Sequence, residues 1–249
     1  MNDTYVEFIK WTTYMSEIIP AVLAKDFGDL EEKLGMIVGK VPMVHIDVTN
    51  GTMTPSSNWP YSGDVQEFLR ITEEVEGFPY WEDLSFEAHL MVSKPEEIVE
   101  DWIKAGAERI IVHLESYEDE HELSRFLSIL RNKFSQGASH LGVEAGLAVN
   151  IDTPMDKLYP HVLEADFIHL MSIDKIGKQG AKFNDEIFER VKALKEKFPE
   201  TIISLDGGVN LENIEALMEA GVDRLVVGSA IFNTEDPEET LLDFLDINS

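Results

Sequence analysis

The amino-acid sequence predicts a single-domain (β/α)8 barrel, the TIM-barrel architecture. The length of 249 residues suits one large domain. Eight short apolar runs are typical of buried strands, and helical patterns alternate with them along the whole chain. Strict alternation of strands and helices favours a parallel sheet, and eight such units favour its closure. An open doubly wound sheet is the alternative, but no G-x-G-x-x-G follows the first strand.

The strands are predicted from apolar, β-branched stretches that end in polar or glycine-containing segments. In chain order they cover 18–23, 43–48, 86–91, 109–114, 140–148, 167–171, 202–206 and 225–227. The intervening helices are predicted from helical spacing of apolar residues and cover 27–39, 63–75, 95–104, 119–134, 154–163, 184–198, 211–220 and the segment that Pro237 opens. Asp26 suits the N-cap of the first helix, and Pro95 suits a first helical position.

The predicted domain organisation is simple. No linker divides residues 17–249, which we assign to the barrel, and residues 1–16 are predicted to form an extra N-terminal helix or arm. No signal peptide and no apolar run of about 20 residues is visible, so we expect a soluble cytoplasmic protein without a membrane partner.

The charge balance excludes some classes of partner. Asp and Glu number 48 against 20 Lys and Arg, which gives a formal net charge of −28. This charge argues against binding to nucleic acid or to anionic membranes. The chain has no cysteine, which excludes disulfides and thiolate metal sites.

Polar residues at three strand ends predict a metal site. His45 and Asp47 are two residues apart in a strand, so their side chains point to the same side. Alone, this pair is equally well explained by a buried hydrogen bond. His89 and Asp206 end two other predicted strands, and strand ends converge at one face of a barrel. Two imidazoles and two carboxylates suit a divalent transition-metal ion.

The other histidines are not predicted to be ligands. His113 has no partner two residues away, His121 and His161 lie in helical stretches, and His140 and His169 do not end strands.

Glycines in the last three βα units predict an anion site. Gly207, Gly208, Gly228 and Ser229 follow strands seven and eight, where barrels commonly bind phosphate. Gly177 and Gly180, with lysines nearby, predict a flexible lid that supplies local positive charge. Ordinary turns are the alternative explanation of these glycines.

These motifs together resemble the ribulose-phosphate 3-epimerase family across about residues 17–240. The family's H-x-D-V-x-x-G motif corresponds to residues 45–51, and its H-L-M-V motif to residues 89–92. Further matches are Gly146-Leu147-Ala148-Val149-Asn150, Met171-Ser172, Asp206-Gly207-Gly208-Val209 and Gly228-Ser229-Ala230-Ile231-Phe232. Each match alone is weak, but their order and spacing are highly specific.

The resemblance implies metal-dependent epimerisation at C3 of a ketose phosphate, with D-ribulose 5-phosphate and D-xylulose 5-phosphate as the preferred pair. It implies that one divalent ion (zinc, iron, manganese or cobalt) stabilises an enediolate intermediate. The implied ligands are His45, Asp47, His89 and Asp206. Asp47 and Asp206 would also be the two acid/base groups that flank C3.

The resemblance further implies apolar walls, a pathway and an assembly. Met91 and Met171 would border the enediolate, although ordinary core packing explains these methionines nearly as well. The family works in the pentose phosphate pathway of carbohydrate metabolism and forms homo-oligomers, so we expect both here.

Departures from the family pattern leave the substrate open. Ala21 stands where the family usually has serine, the lid over 174–180 differs in sequence, and the connection over 58–81 is expanded with aromatic residues. An epimerase for another ketose phosphate, such as a hexulose 6-phosphate, is therefore an alternative. A non-catalytic sugar-phosphate-binding relative is a second alternative, against which the intact aspartate pair argues. Aldolase or decarboxylase relatives usually carry a lysine at a strand end, and the first seven predicted ends have none.

Overall fold

The computed structural model describes residues 16–134, 142–178 and 180–247, and it confirms the predicted (β/α)8 barrel. The strands are β1 (Glu17–Val22), β2 (Met43–Thr49), β3 (Ser85–Met91), β4 (Arg109–His113), β5 (Glu144–Val149), β6 (Phe167–Met171), β7 (Ile202–Asp206) and β8 (Arg224–Val227). Each strand pairs in parallel with the next, and β8 pairs with β1, so the sheet is closed. The carboxyl ends of all eight strands therefore face one end of the barrel.

The helices surround the sheet. They are α1 (Phe27–Ile37), α2 (Gln66–Thr72), α3 (Val99–Lys104), α4 (Glu120–Ile129), α5 (Met155–Leu158), α6 (Ile187–Lys197), α7 (Ile214–Glu219), α8 (Ser229–Phe232) and α9 (Pro237–Ile247). The Asp26 side chain caps α1 by accepting a hydrogen bond from the Asp29 backbone N–H, as predicted. No helix in the described part of the chain is both long and apolar enough to cross a membrane.

Several predicted elements differ in extent from the observed ones; for example, the helix expected over 154–163 is the short α5 followed by a 3-10 turn at Tyr159–His161. The helix expected over 95–104 is divided into a 3-10 turn at Pro95–Glu97 and α3, because Ile98 leaves the helical backbone conformation at φ −125°. The helix expected over 119–134 ends as α4 and continues as a π-helical turn at Leu130–Phe134. The described part of the fifth strand begins at Glu144, opposite the start of its partner β4, and residues 140 and 141 of the predicted strand lie outside the described residues.

The N-terminal arm lies almost wholly outside the described residues. Of the predicted segment 1–16, the structure describes Ser16, which is buried and donates a hydrogen bond to the Val222 carbonyl oxygen (2.7 Å). The arm and its separation from the barrel therefore stay a prediction.

The expanded connection between β2 and β3 is partly core. Trp59 and Phe78 are buried, and the Trp59 ring lies 5.5 Å from that of Phe68 and 6.0 Å from that of Trp102. Trp81, in contrast, is 64% exposed. Most of the aromatic side chains here thus anchor the long connection against the barrel.

The interior of the barrel is largely polar. The main apolar core fills the space between the sheet and the helices. Two smaller apolar clusters are separate from it: one contains Ile19, Ala21, Met43 and Val226, and the other contains Ile111, Ala148 and Phe167. Charged residues, histidines and Ser204 also face the interior, where they form two polar layers.

Candidate metal and substrate site

The first polar layer lies at the amino ends of the strands. We call it the lower ion network, and its members are Glu17, Glu87, Arg109, Glu144 and Arg224. Arg109 contacts three carboxylates at 3.1 to 3.4 Å, and Arg224 contacts two of the same carboxylates at 3.0 and 3.4 Å. Every carboxylate of this layer has a guanidinium partner.

The second layer lies toward the carboxyl ends of the strands, and we call it the His–Asp cluster. Its members are His45 and Asp47 on β2, His89 on β3, His169 on β6 and Asp206 on β7. The register pairs Asp47 with His89, and the three imidazoles are fully buried. The alternation of side chains in β2 brings His45 and Asp47 to the same side, as the sequence predicts.

The donor atoms of the predicted ligands converge. His45 Nε2 lies 3.2 Å from His89 Nδ1, and Asp47 Oδ1 lies 3.3 and 3.2 Å from these two nitrogens. His89 Nδ1 is 3.9 Å from Asp206 Oδ2. Ligands of one ion at about 2.0–2.2 Å from it are separated by about 3–4 Å, which matches these distances.

His169 belongs to this cluster, although sequence reasoning set it aside because it does not end a strand. It lies two residues before the end of β6, as His89 does in β3. One ligand atom each from His45, His89, His169 and Asp206 forms a group within 4.8 Å. Asp47 Oδ1 is outside that group but adjoins two of its members. The rule that only terminal strand residues reach the site was too narrow.

His113 also lies beside the cluster, and the expectation that it has no partner two residues away is wrong. Its Nδ1 lies 3.1 Å from Glu115 Oε2, and its Nε2 lies 2.8 Å from His89 Nε2. When His113 donates its Nδ1 proton to Glu115 and His89 donates its Nε2 proton to His113, the His89 Nδ1 lone pair faces the cluster. His113 therefore orients His89 rather than reaching the centre itself.

Glu87 holds His45 in the same manner. The Glu87 Oε1 atom is 2.6 Å from His45 Nδ1, and its Oε2 atom is 3.2 Å from Arg109 Nη1. In the neutral form of His45, an Nδ1–H that donates to Glu87 leaves the Nε2 lone pair to face Asp47 and His89, so metal binding at this imidazole requires release of its Nε2 proton. Glu87 therefore joins the lower ion network to the His–Asp cluster.

The histidines differ in protonation. Burial opposes ionisation of His45, but its hydrogen bonds to Asp47 and Glu87 outweigh this and raise its pKa to about 10. Burial and the repulsion from neighbouring histidines lower the pKa of His89 and of His169 to about 3. Two of the three imidazoles are therefore neutral at pH 7, the form that binds metal.

The two aspartates also differ. Burial, together with the charge of Asp47, raises the pKa of Asp206 to about 6. Burial acts in the same direction on Asp47, but hydrogen bonds to His45 and His89 outweigh it and hold its pKa well below the usual range. The environment thus pushes the pKa values of the two carboxyl groups apart, as acid and base pairs require.

The cluster fits a divalent transition-metal ion. His169 Nε2 is buried and has no hydrogen-bond partner among the described residues. Three imidazoles and two carboxylates are the donors that zinc, iron, cobalt and manganese take in proteins. An ion would give the buried Nε2 atom a partner and would reduce the repulsion between the two carboxylates.

A cavity opens directly on the two aspartates. Its walls include both predicted methionines and all of the predicted anion-binding residues. The lining residues include Ala21, Asp47, Met91, Met171, Gly177, Lys178, Gly180, Asp206, Gly207, Gly208, Gly228 and Ser229. Met91 and Met171 are both buried, which agrees with either a wall or a core role.

The glycines of the cavity have conformations that other residues rarely adopt. Gly207 and Gly208 have φ values of +117° and +69°. A Cβ atom on Gly208 would lie 3.0 Å from the Phe183 backbone, and one on Gly177 would lie 2.5 Å from Thr54 Cγ2. Only glycine therefore allows the lid after β6 to approach β7 on one side and the loop after β2 on the other.

Comparisons with known proteins agree with this architecture. The family model described as Ribulose-phosphate 3 epimerase family matches residues 17–232. A ribulose-phosphate 3-epimerase of Aquifex aeolicus is 31% identical over 229 residues, with 90% of this chain and 93% of that protein covered. The enzyme of the same name from Schizosaccharomyces pombe is 29% identical over 227 residues, with 91% of each covered.

Solved structures share the fold at lower identity. KGPDC from Streptococcus mutans gives a TM-score of 0.66 at 13% identity, covering 94% of this chain and 97% of that one. A 3-hexulose-6-phosphate synthase from Salmonella typhimurium gives 0.64 at 15% identity, covering 94% and 100%. These likenesses concern the barrel alone. The family match over most of the barrel and the curated relatives confirm an isomerase that acts on carbohydrates, and the chain belongs to the ribulose-phosphate 3-epimerase family.

Proposed function

We propose that this protein interconverts D-ribulose 5-phosphate and D-xylulose 5-phosphate by metal-assisted proton transfer at C3. Family membership and the names of the relatives support the substrate. The observation that carries the mechanism is the position of Asp47 and Asp206. Both line one cavity, both adjoin imidazole nitrogens, and their pKa values are shifted in opposite directions.

His45, Asp47, His89 and Asp206 would hold the ion. Neighbouring donor atoms among them lie 3.2 to 3.9 Å apart, and Glu87 and His113 orient the two imidazoles from behind. When bound, a divalent cation polarises the C2 carbonyl of the ketose and stabilises the negative charge that develops when the C3 proton leaves.

The two aspartates move the proton. Epimerisation removes the C3 proton from one face and returns a proton to the other, which requires one carboxylate and one carboxylic acid. Asp47, with its lowered pKa, is ionised at neutral pH, and Asp206, with a pKa of about 6, can hold a proton more easily. The roles exchange in the reverse direction.

The remaining walls of the cavity bind and orient the substrate. Backbone N–H groups of Gly207, Gly208, Gly228 and Ser229 would bind the phosphate, which anchors the sugar chain across the cluster. Ser172 fixes this end of the barrel by donating a hydrogen bond to the Gly207 carbonyl oxygen (2.6 Å). Met91 and Met171 would exclude water from the reacting carbons.

The lid supplies the local positive charge that a protein of net charge −28 needs for an anionic substrate. Lys178, beside Gly177 and Gly180, lines the cavity from the lid side. A lysine at this position favours the doubly charged phosphate end of the substrate over neutral sugars.

Isotope exchange tests the proposal. The protein is loaded separately with Zn²⁺, Fe²⁺, Mn²⁺ and Co²⁺ and incubated with D-ribulose 5-phosphate in D₂O. We expect deuterium at C3 together with D-xylulose 5-phosphate, both followed by NMR. Absence of exchange with D-ribulose 5-phosphate and every other pentulose phosphate, in protein shown to contain metal, would contradict the proposal and leave an epimerase for another ketose phosphate or a binding protein without turnover.

A hexulose 6-phosphate epimerase is the second candidate, and Ala21 is the observation that favours it. Ala21 lines the cavity and places a methyl group where a serine would place a hydroxyl. Without this polar contact, the cavity selects less strictly for a five-carbon substrate. A panel of pentulose and hexulose phosphates, compared by kcat/KM, decides between the two.

Cellular location and assembly are part of the proposal. A rice relative, 27% identical over 229 residues, is named a cytoplasmic isoform, which supports a cytoplasmic location here. We propose a homo-oligomer on the family resemblance, and light scattering of the purified protein would test it.

A further inference from the structure

The strongest unassigned feature of the molecule is His169, which the family motifs do not include. It lies on β6 inside the barrel, in register with Ala148 of β5 and Ser204 of β7. Its ring stacks on that of His45 at 5.4 Å between centroids and 12° between planes. It also meets the His89 ring edge-on at 4.8 Å. His169 thus lies at the same level of the barrel as the two histidines of the motifs.

The three imidazoles are held in the same way. In each, one nitrogen contacts an outer polar group: Glu87 for His45 (2.6 Å), His113 for His89 (2.8 Å) and Ser204 for His169 (3.0 Å). In each, the other nitrogen faces the centre of the cluster. When Nδ1 of His169 donates to the Ser204 hydroxyl oxygen, its Nε2 lone pair is available there.

The inward nitrogen of His169 has no other explanation among the described residues. It is completely buried and has no hydrogen-bond partner, an uncommon state for a buried nitrogen. It lies 3.9 Å from Asp206 Oδ2, too far for a hydrogen bond but suitable for two ligands of one ion.

We propose that His169 is a fifth protein ligand of the divalent ion, in addition to His45, Asp47, His89 and Asp206, with Ser204 as its positioning residue. This inference rests on the metal site of the proposed function. A third imidazole changes the chemistry of the site, because imidazole suits zinc, cobalt and iron, whereas carboxylate and water suit manganese and magnesium. His169 therefore gives this chain a preference for zinc, cobalt or iron over manganese.

X-ray absorption of the zinc-loaded wild-type protein tests the proposal without a substitution. The outer-shell scattering of histidine rings counts the imidazoles on the metal. We expect three imidazoles. A count of two would overturn the proposal.

Binding measurements on variants provide the second test. We expect His169→Leu to bind Co²⁺ at least about 10–100-fold more weakly than wild type, by competition with a chromophoric chelator, and to change the visible d–d absorption of the bound Co²⁺. The ratio of Mn²⁺ to Zn²⁺ dissociation constants should fall toward one. His169→Asn, which keeps a polar side chain, covers the case in which the leucine variant fails to fold.

The matched control is His161→Leu. His161 is also buried with an unpaired Nε2 atom, but it contacts Glu164 and lies outside the cluster. This control should keep the wild-type Co²⁺ affinity and spectrum. Wild-type affinity and spectrum in both His169 variants, together with lost binding in His45→Ala, would overturn the role of His169 and leave the proposed function intact. No metal binding by the wild-type protein would overturn both.

Discussion

The lower ion network and the His–Asp cluster contain similar groups in the same barrel, but they differ in how their charges are compensated. In the lower ion network, Glu17, Glu87 and Glu144 each contact a guanidinium group at 3.0 to 3.4 Å. In the cluster, Asp206 has no imidazole nitrogen nearer than 3.9 Å among the ion pairs described, and its pKa is raised. Carboxylates paired with guanidinium groups stabilise the fold, whereas a buried carboxylate without a close cationic partner is available to bind a ligand.

From this contrast we predict that Asp206→Asn lowers activity strongly but does not lower stability. Epimerisation should fall by about 10²–10⁴-fold, because one of the two proton-transfer groups is lost. The melting temperature in the presence of a chelator at pH 8 should stay equal or rise. A carboxyl group with a raised folded-state pKa destabilises the fold once it is ionised, so its removal relieves that cost. Steady-state kinetics and thermal denaturation measure both effects.

The control for this variant is Asp156→Asn on the exposed surface of α5. It should leave kcat and the melting temperature unchanged. Turnover that survives in Asp206→Asn at the level of the control would disprove the two-aspartate assignment.

Arg109→Leu should lower stability and leave turnover nearly unchanged, the opposite of Asp206→Asn. It leaves Glu17, Glu87 and Glu144 without their common partner, and we expect the free energy of unfolding to fall by about 3 kcal/mol. The kcat of the protein that remains folded should change little. Urea denaturation gives the first quantity, and kinetics below room temperature give the second.

Arg125→Leu, at an exposed position of α4, is the matched control and should change stability by no more than about 0.5 kcal/mol. The distinction between the two layers fails if Arg109→Leu abolishes activity in a protein of normal stability.

Glu87→Gln should affect both layers moderately, because Glu87 contacts both Arg109 and His45. We expect Zn²⁺ affinity to weaken by about 10–100-fold, since His45 loses the carboxylate that orients it. The free energy of unfolding should fall by about 1–3 kcal/mol, the contribution of hydrogen bonds to charged groups. Chelator competition and urea denaturation, performed on one preparation, compare the two losses. An effect on only one of them would show that the layers are independent.

The smallest expected effect is that of Ala21→Ser, at the edge between the cavity and the cluster. Ala21 lies opposite His45 in the register and lines the cavity, so a hydroxyl here gains one contact to substrate. We expect KM for D-ribulose 5-phosphate to fall by about 2–10-fold with unchanged stability. Equal KM values in the variant and the wild type, for pentulose and hexulose phosphates alike, would remove Ala21 as a determinant of specificity.

The sequence predicts the order and type of the elements well, because each barrel unit is local and its apolar spacing is strong. Asp47, His89 and Asp206 could be predicted to meet because all three lie within the last three residues of their strands, and a closed parallel sheet brings such positions together. Short features that depend on distant neighbours could not be predicted, such as the four-residue helix α8 after Gly228.

His169 and Glu87 were missed for a related reason. Each lies inside a strand, where a polar residue at an inward position is not distinguishable from one that faces the helices until the register is known. One signal was available: His169 stands two residues before Met171, as His89 stands two before Met91. Equivalent spacing from the strand end, rather than the end itself, predicts His169 together with His89.

The positions of the proposed ligands along the chain determine when the ligand set is complete during protein synthesis. The proposed ligands come from β2, β3, β6 and β7, so a nascent chain does not possess the complete set until β7 has left the ribosome. Small zinc domains fold around their ion, because their ligands are close in sequence. Here the proposed donor atoms come together only when β7 has joined the barrel, so metal availability at that stage of folding contributes to which ion occupies the site.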